Sequence, residues 1–284
     1  MKIVCTVNSN RLIVGLASAL SSIDGMNVVY WHPRVKNAID MCDELQPDMI
    51  LCETSEVDPA LRMALDSYPQ IQVVLFGIAA GNIKPSIVCF PSHIPKAHMK
   101  AIVQDKFQAI QIQNAANVAQ FYRGEYNPAY ASDALYISDE QLIAEAFGML
   151  LDIGQKHRLR VIGPSRLNIP QYVGGGSLNA VCSTIRSARV GLDFTGNFVH
   201  DFAINKIPCL SPIQSDVSIM LTPGLDISKY LFEEKLRKKL VKQAYEITAS
   251  GHTFYHRIDE LFTELGQPEV GQKALAKLES ILNV

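Results

Sequence analysis

At 284 residues the chain is long for one compact domain and comfortable for two of about 140 each. Its 48% hydrophobic and 19% charged residues are those of an ordinary globular protein, and no apolar run approaches the roughly 18 residues that cross a bilayer, so no membrane span is expected. With 26 basic against 28 acidic residues the net charge is −2, which excludes a chain basic throughout.

The N-terminus MKIVCTVNSNR reads as a strand followed at once by polar residues, without the charged, apolar and small-residue succession of a signal peptide. A cytoplasmic location is expected. Six cysteines, at 5, 42, 52, 89, 182 and 209, include no C-x-x-C pair and lie mostly inside apolar runs. Buried, reduced thiols are therefore expected, rather than a disulfide framework or a zinc site.

In chain order, KIVCTV reads as a strand, 11–22 as a helix, MNVVYW as a strand, 35–45 as a helix and MILCE as a strand. A helix at 59–67 and the strand IQVVLFG follow, then the short apolar pieces IVCF and FQAIQI. Strands alternating with helices of this length imply parallel pairing through right-handed crossovers, hence an open, doubly wound α/β sheet. Between 81 and 124 the charges are one-sided, with Lys84, Lys96, Lys100, Lys106 and Arg123 against Asp105. A polar stretch without helical period at 124–130 marks the expected domain boundary, giving a first domain at 1–128 and a second at 129–266.

The second half opens a fresh α/β series: the strand ALYIS, a helix at 140–157, the strand LRVIG, a glycine triplet at 174–176 and a helix at 177–189. Next comes GLDFTGNFVHDFAINKIPCLSP, which reads as strand, polar loop, short helix and strand, and then the strand SIMLTP. After 228 the chain is helical almost to its end, more helix than one small sheet needs. The segment 267–284 is expected to be a terminal helix packing back on the first domain.

A loop feeding a helix N-terminus presents unpaired N–H groups and the positive end of the helix dipole, which suits a phosphate. Thr195, Gly196 and Asn197 hold that position, with Asp193 before them and Asp201 one turn into the helix. A carboxylate at 201 would accept hydrogen bonds from ribose hydroxyls; strand-end capping by Asp193 and dipole pairing by Asp201 explain the same residues without a ligand. Gly163, Ser165 and Arg166 follow a strand at the sheet edge where ligands bind, and Val173, Gly174 and Gly175 precede another helix there. Histidines 252 and 256 stand at helical spacing, which fits capping or packing better than a metal. There is no G-x-S-x-G elbow and no P-loop.

In four pieces the second half resembles the C-terminal domain of GT-B glycosyltransferases, in particular the group related to spore maturation protein CgeB. These are SDALYI at 132–137, RVIG at 160–163, the stretch 193–211 and GHTFYHRIDELF at 251–262, close to that group's histidine-threonine-aromatic-x-x-arginine signature. Asp193 and Asp201 stand at the eight-residue spacing that many members fill with two glutamates, although the family's following glycine is absent here. The resemblance implies two Rossmann-like domains facing across a cleft. It implies an enzyme moving a sugar from a nucleotide diphosphate sugar, UDP-linked above all, to an acceptor hydroxyl, with no cofactor and no required metal.

Under that resemblance, Gly163, Ser165, Arg166, Val173, Gly174, Gly175, Thr195, Gly196, Asn197 and Asp201 bind the donor. Glu53, at the end of MILCE, is the candidate base, and Asp193 and His200 flank the reacting centre. Lys84, Lys96, Lys100, Lys106 and Arg123 would bind the acceptor. Phage enzymes that glycosylate hydroxymethylcytosine share the architecture, which makes DNA one acceptor and the host cytoplasm its place; otherwise the acceptor is a glycan or small molecule. A nucleotide-sugar epimerase and a non-catalytic nucleotide-sugar binding module are the alternatives.

Overall fold

A computed structural model describes residues 1–6, 11–32, 34–77, 85–91, 108–122, 124–137, 144–163, 171–172, 177–222 and 224–283. The chain divides into two compact units, Met1–Asn114 with Phe254–Val284, and Ala115–Thr253. The sequence places the boundary at 128/129 instead. The polar stretch that suggested it is a loop of the second unit, with a short 3-10 turn at Pro128–Tyr130 and the Asn127 N–H donating to Ser187 Oγ at 2.8 Å.

The first unit is built on β1 (Lys2–Thr6), β2 (Asn27–Trp31), β3 (Met49–Glu53), β4 (Gln72–Phe76), β5 (Ile87–Phe90) and β6 (Ala109–Gln111). All pair in parallel, in the order β2-β1-β3-β4-β5-β6. The inner strands MILCE, QVVLF and IVCF are buried almost without alternation because a parallel sheet is covered on both faces, whereas the edge strand NVVYW is largely uncovered. Helices α1 (Arg11–Ser21), α2 (Ala38–Leu45) and α3 (Pro59–Ser67) make the crossovers. Helix α2 starts three residues later than the periodicity suggests because Asn37 caps it, its side chain accepting from Asp40 N. Asp58 caps α3 in the same way, with Pro59 at the first helical position.

The second unit carries β7 (Ser132–Ile137), β8 (Leu159–Ile162), β9 (Ala188–Leu192), β10 (Cys209–Ser211) and β11 (Ser218–Met220), all parallel in the order β11-β10-β9-β7-β8. Numbered from its own first strand this is 2-1-3-4-5, the winding that the first unit also follows. Its helices are α4 (Val118–Phe121), α5 (Ala144–Lys156), α6 (Leu178–Ser187), α7 (Val199–Ile204), α8 (Ser228–Phe232) and α9 (Glu234–Gly251). Gly191 lets α7 lie on β9: a Cβ there would stand 2.4 Å from the Phe202 ring.

The surplus of C-terminal helix goes to the first unit, as two helices rather than one. These are α10 (Phe254–Glu264) and α11 (Pro268–Leu282), and α10 packs on α1 with Phe254 set over Gly15. Tyr255 OH meets Ser22 Oγ at 2.6 Å, and Gln267 Nε2 donates to Gln72 Oε1 at 3.0 Å. The cysteines Cys5, Cys42, Cys52, Cys89, Cys182 and Cys209 are all buried and unbridged. Among the described residues no helix is long and apolar enough to cross a membrane.

Candidate functional site

In a doubly wound sheet the crevice for a ligand opens at the C-terminal strand ends, where the winding reverses. In the second unit the reversal falls between β7 and β9, and the residue that leaves β9 is Asp193. The loop 193–198 therefore occupies the place where such a fold takes ligands. Phe194 in this loop meets Tyr136 of β7 edge to face, centroids 5.3 Å apart, which fixes the loop to the sheet.

Asp193 is fully buried. Its Oδ1 accepts from the Thr195 N–H, the Thr195 hydroxyl and the Gly196 N–H, each at 2.9 Å, and its Oδ2 accepts from the Phe198 N–H at 2.6 Å. The Asn197 N–H donates to Thr195 Oγ1 at 3.3 Å. These contacts correct one expectation: the N–H groups of Thr195, Gly196 and Asn197 are not open to an anion, because the chain's own carboxylate and hydroxyl already hold them. A phosphate at this loop has to compete with Asp193 for the same donors. The charge of Asp193 also reaches Cys209, whose thiol is held well above its ordinary pKa first by burial and then by that carboxylate.

Asp201 is 1% exposed, and its Oδ1 accepts from the backbone N–H of Asn117 at 2.7 Å. Its spacing suggests ribose binding, but the carboxylate faces into the second unit and ties down the segment just after the chain enters it. Asn205 continues the same cluster, its Nδ2 donating to the carbonyls of Asp201 and Phe121 at 2.8 Å each. The glycine that the family resemblance leads one to expect is replaced by the next residue, Lys206, which takes the left-handed backbone at φ 61° that a glycine would adopt without strain.

His200 stacks on His252, with ring centroids 4.8 Å apart and planes 4° from parallel, and its Nδ1 lies 3.1 Å from Thr248 Oγ1. His252 belongs to the closing signature, whose backbone work becomes visible here. The His252 carbonyl accepts the Ala116 N–H at 2.8 Å and Thr253 pairs with Ala116 as a parallel bridge. Arg257, 5% exposed, donates from Nε to the Gln113 carbonyl at 3.1 Å and forms an ion pair with Glu260. The signature thus anchors, within each unit, the segment by which the chain crosses from one unit to the other. Sequence reading assigned no role to Asn117 or Thr248; for His252 it gave capping or packing, from its place in HTFYHR.

Gly163 leaves β8 buried, its carbonyl accepting from Tyr172 OH at 2.8 Å. Glu53 ends β3, beside the point between β1 and β3 where the winding of the first unit reverses. Ser165, Arg166, Val173, Gly174 and Gly175, and the basic set Lys84, Lys96, Lys100, Lys106 and Arg123, lie outside the described residues.

No family model matches the sequence, and no curated protein matches it. Solved structures do. An Anabaena protein, HepE, in complex with UDP-glucose superposes with a TM-score of 0.59 at 10% identity, covering 99% of this chain and 100% of that one. The fold is GT-B. The glycosyltransferase SnogD from Streptomyces nogalater gives 0.52 at 9% identity over 93% of this chain and 99% of its own. A UDP-GlcNAc 2-epimerase from Neisseria meningitidis, bound to UDP-GlcNAc, gives 0.52 at 9% identity over 99% and 100%. The GT-B fold thus spans the chain from end to end, at identities that carry fold and not activity.

Proposed function

We propose that this protein is a glycosyltransferase that takes a sugar from a nucleotide diphosphate donor, UDP-linked, to an acceptor hydroxyl. What supports the reading most is the position of the loop 193–198 at the switch point of the second unit. The likeness to the UDP-glucose complex of HepE along the full length of both chains adds to it.

In this reading the second unit takes the donor. The loop held by Asp193 forms one wall of the seat, and Gly163 with the glycine triplet at 174–176 lets a backbone approach the nucleotide. Asp193 acts by shaping the loop and Arg166 supplies positive charge to the leaving group, while His200, stacked on His252 and with Nδ1 at Thr248, would reach the diphosphate only through its remaining ring nitrogen. Asp201 holds the crossing segment in place instead of taking the ribose as its spacing implies. The first unit takes the acceptor, and Glu53 at its own switch point is the carboxylate that receives the hydroxyl proton. Transfer needs no divalent metal in this scheme, because no D-x-D cluster is present to hold one. Chelator should leave turnover intact.

DNA enters only as one acceptor class, through Lys84, Lys96, Lys100, Lys106 and Arg123. A polyanionic acceptor held by them would bind less tightly as salt rises, since each neutralised phosphate releases counterions.

The deciding experiment incubates the protein with UDP-glucose and UDP-GlcNAc, with and without a panel of hydroxyl acceptors that includes hydroxymethylated duplex DNA. UDP release that depends on an acceptor, with the sugar recovered on it, is expected. Conversion of UDP-GlcNAc to its C2 epimer without an acceptor would give the protein to the epimerase class. Binding of UDP-sugar without turnover would make it a binding module.

A further inference from the structure

A cavity bounded by described residues lies at the other edge of the second sheet. It measures about 470 Å³ and is walled by the N-terminal ends of β7 and β9, at Ser132 and Ala188, and by Pro208 just before β10. Five cationic side chains line it: Arg158, Arg186, Arg189, Lys206 and Arg237. Among the described residues the only carboxylate in its wall is Asp133, which accepts the Arg158 backbone N–H at 3.0 Å. A second cavity of about 240 Å³ shares Arg186 and Lys206.

The fold explains part of this set. Arg186 sits in the last turn of α6, where a cation suits the helix dipole, and donates to the Asn205 carbonyl at 3.0 Å. Arg237 reaches the Leu231 carbonyl at 3.5 Å, and Lys206 lies over the Tyr245 ring, 4.8 Å from its centroid. None of these contacts neutralises a charge. Among the described residues none of the five cations forms an ion pair. Lys206 moreover keeps a long cationic side chain at φ 61°, a left-handed position where glycine or asparagine is the unstrained choice. Like charges gathered around one concavity repel one another, so in a chain whose net charge is −2 the arrangement favours a bound anion.

We propose that this cavity binds a small, multiply charged phosphate anion: a diphosphate group, free or carried by a nucleotide. Its volume falls within the range of small-ligand pockets, about 300–1,000 Å³, and it is a concavity rather than the extended stripe that a nucleic-acid backbone follows. Guanidinium forks match phosphate oxygens two at a time, which suits a site built mainly of arginine. Tyr126, 65% exposed in the wall, offers a ring face to a base. The site is separate from the donor seat proposed at the C-terminal strand ends and does not depend on it.

The test is calorimetric titration of the full chain with sodium pyrophosphate and, separately, with UDP and ADP, at low and at moderate salt. Wild type should bind pyrophosphate, more weakly at the higher salt. R158E/R189E should bind it at least tenfold more weakly, and R158Q/R189Q should fall between the two; both variants should keep the wild-type melting temperature, since these side chains are exposed. Tighter binding of both nucleotides than of pyrophosphate would assign the diphosphate to a nucleotide, and the reverse order to the free anion. Absence of pyrophosphate binding to wild type, or equal binding to R158E/R189E, would overturn the proposal. So would tighter binding of a single-stranded oligonucleotide than of either diphosphate. Failure of the donor reading looks different, because UDP-glucose would then fail to stabilise R158E/R189E, in which the cavity is disabled and only the donor seat is left.

Discussion

The carboxylate of Asp201 and the backbone N–H of Asn117 are joined by a 2.7 Å hydrogen bond buried in the second unit, three residues after the chain enters it. Removing the acceptor leaves a buried N–H unpaired, which costs about 1–3 kcal/mol. Asp201→Ala should therefore lower the melting temperature by several degrees without any ligand present. Asp201→Asn, which keeps an acceptor oxygen, should lose less. Thermal denaturation of the unliganded variants checks this. If Asp201→Ala melts with wild type and only loses stabilisation by UDP, the residue serves a ligand and not the crossing segment.

Asp193 has more to lose. Four donors converge on it, and hydrogen bonds to a charged group contribute about 1.5–3 kcal/mol each, though not additively within one network. Asp193→Ala should destabilise the protein more than Asp201→Ala does. It also releases the N–H groups of Thr195, Gly196 and Phe198, so added formate or acetate should restore part of the lost stability. Denaturant titrations with and without formate measure both effects. No recovery with the small carboxylates, on a variant that still folds, would mean that the loop collapses once Asp193 is gone.

These two residues also show what was legible in the sequence. The parallel sheets were, because strands covered on both faces leave continuous apolar runs such as MILC and VVLF, and the loop after β9 was, because polar residues interrupt such a run. The work of Asp193 and Asp201 was not. A carboxylate eight residues from another reads the same whether it faces a ligand or its own backbone, and only the packing of Asn117 decides. The unit boundary was hidden for a related reason: Ala115, Ala116 and Val118 are buried, so no break in hydropathy marks the crossing. The cationic cavity was equally invisible, since Arg158 and Arg237 stand far apart in sequence and meet only because β7, β9 and β10 begin at one edge.

The thiols give the protein an alkaline limit. Burial pushes Cys5 up to about 12, and Cys42 is pushed up to about 11 by burial and the neighbouring Asp43 charge. An unfolded chain releases these protons near its ordinary thiol pKa of about 8.5, while the folded chain keeps them. The unfolded state then binds fewer protons, so this contribution to stability is fully present below about pH 8.5 and is lost as pH rises toward 11 and 12. Denaturation midpoints measured from pH 7 to 10.5 should fall above 8.5, and Cys5→Ala with Cys42→Ala should flatten that fall. An aromatic disulfide reagent at pH 8 should label the native protein slowly and all six cysteines in denaturant.

The last prediction concerns the C-terminal helices of the first unit. Gly15 in α1 lies under the ring of Phe254, which is fully buried at the start of α10; a Cβ at Gly15 would stand 2.1 Å from ring atom Cε2. The ring cannot retreat easily, because Tyr255 beside it is held to Ser22 by a 2.6 Å hydrogen bond. On helix propensity alone Gly15→Ala would stabilise α1 by about 1 kcal/mol. The clash should win: overpacking a tight core costs about 1–3 kcal/mol, so the variant should be less stable than wild type. Phe254→Leu alone should destabilise by leaving a void, but combined with Gly15→Ala it makes room for the new methyl group. The double variant should then be more stable than the sum of the two single effects, a coupling that a double-mutant cycle in urea reads directly. Strict additivity of the two changes would show that α1 and α10 do not meet through this pair.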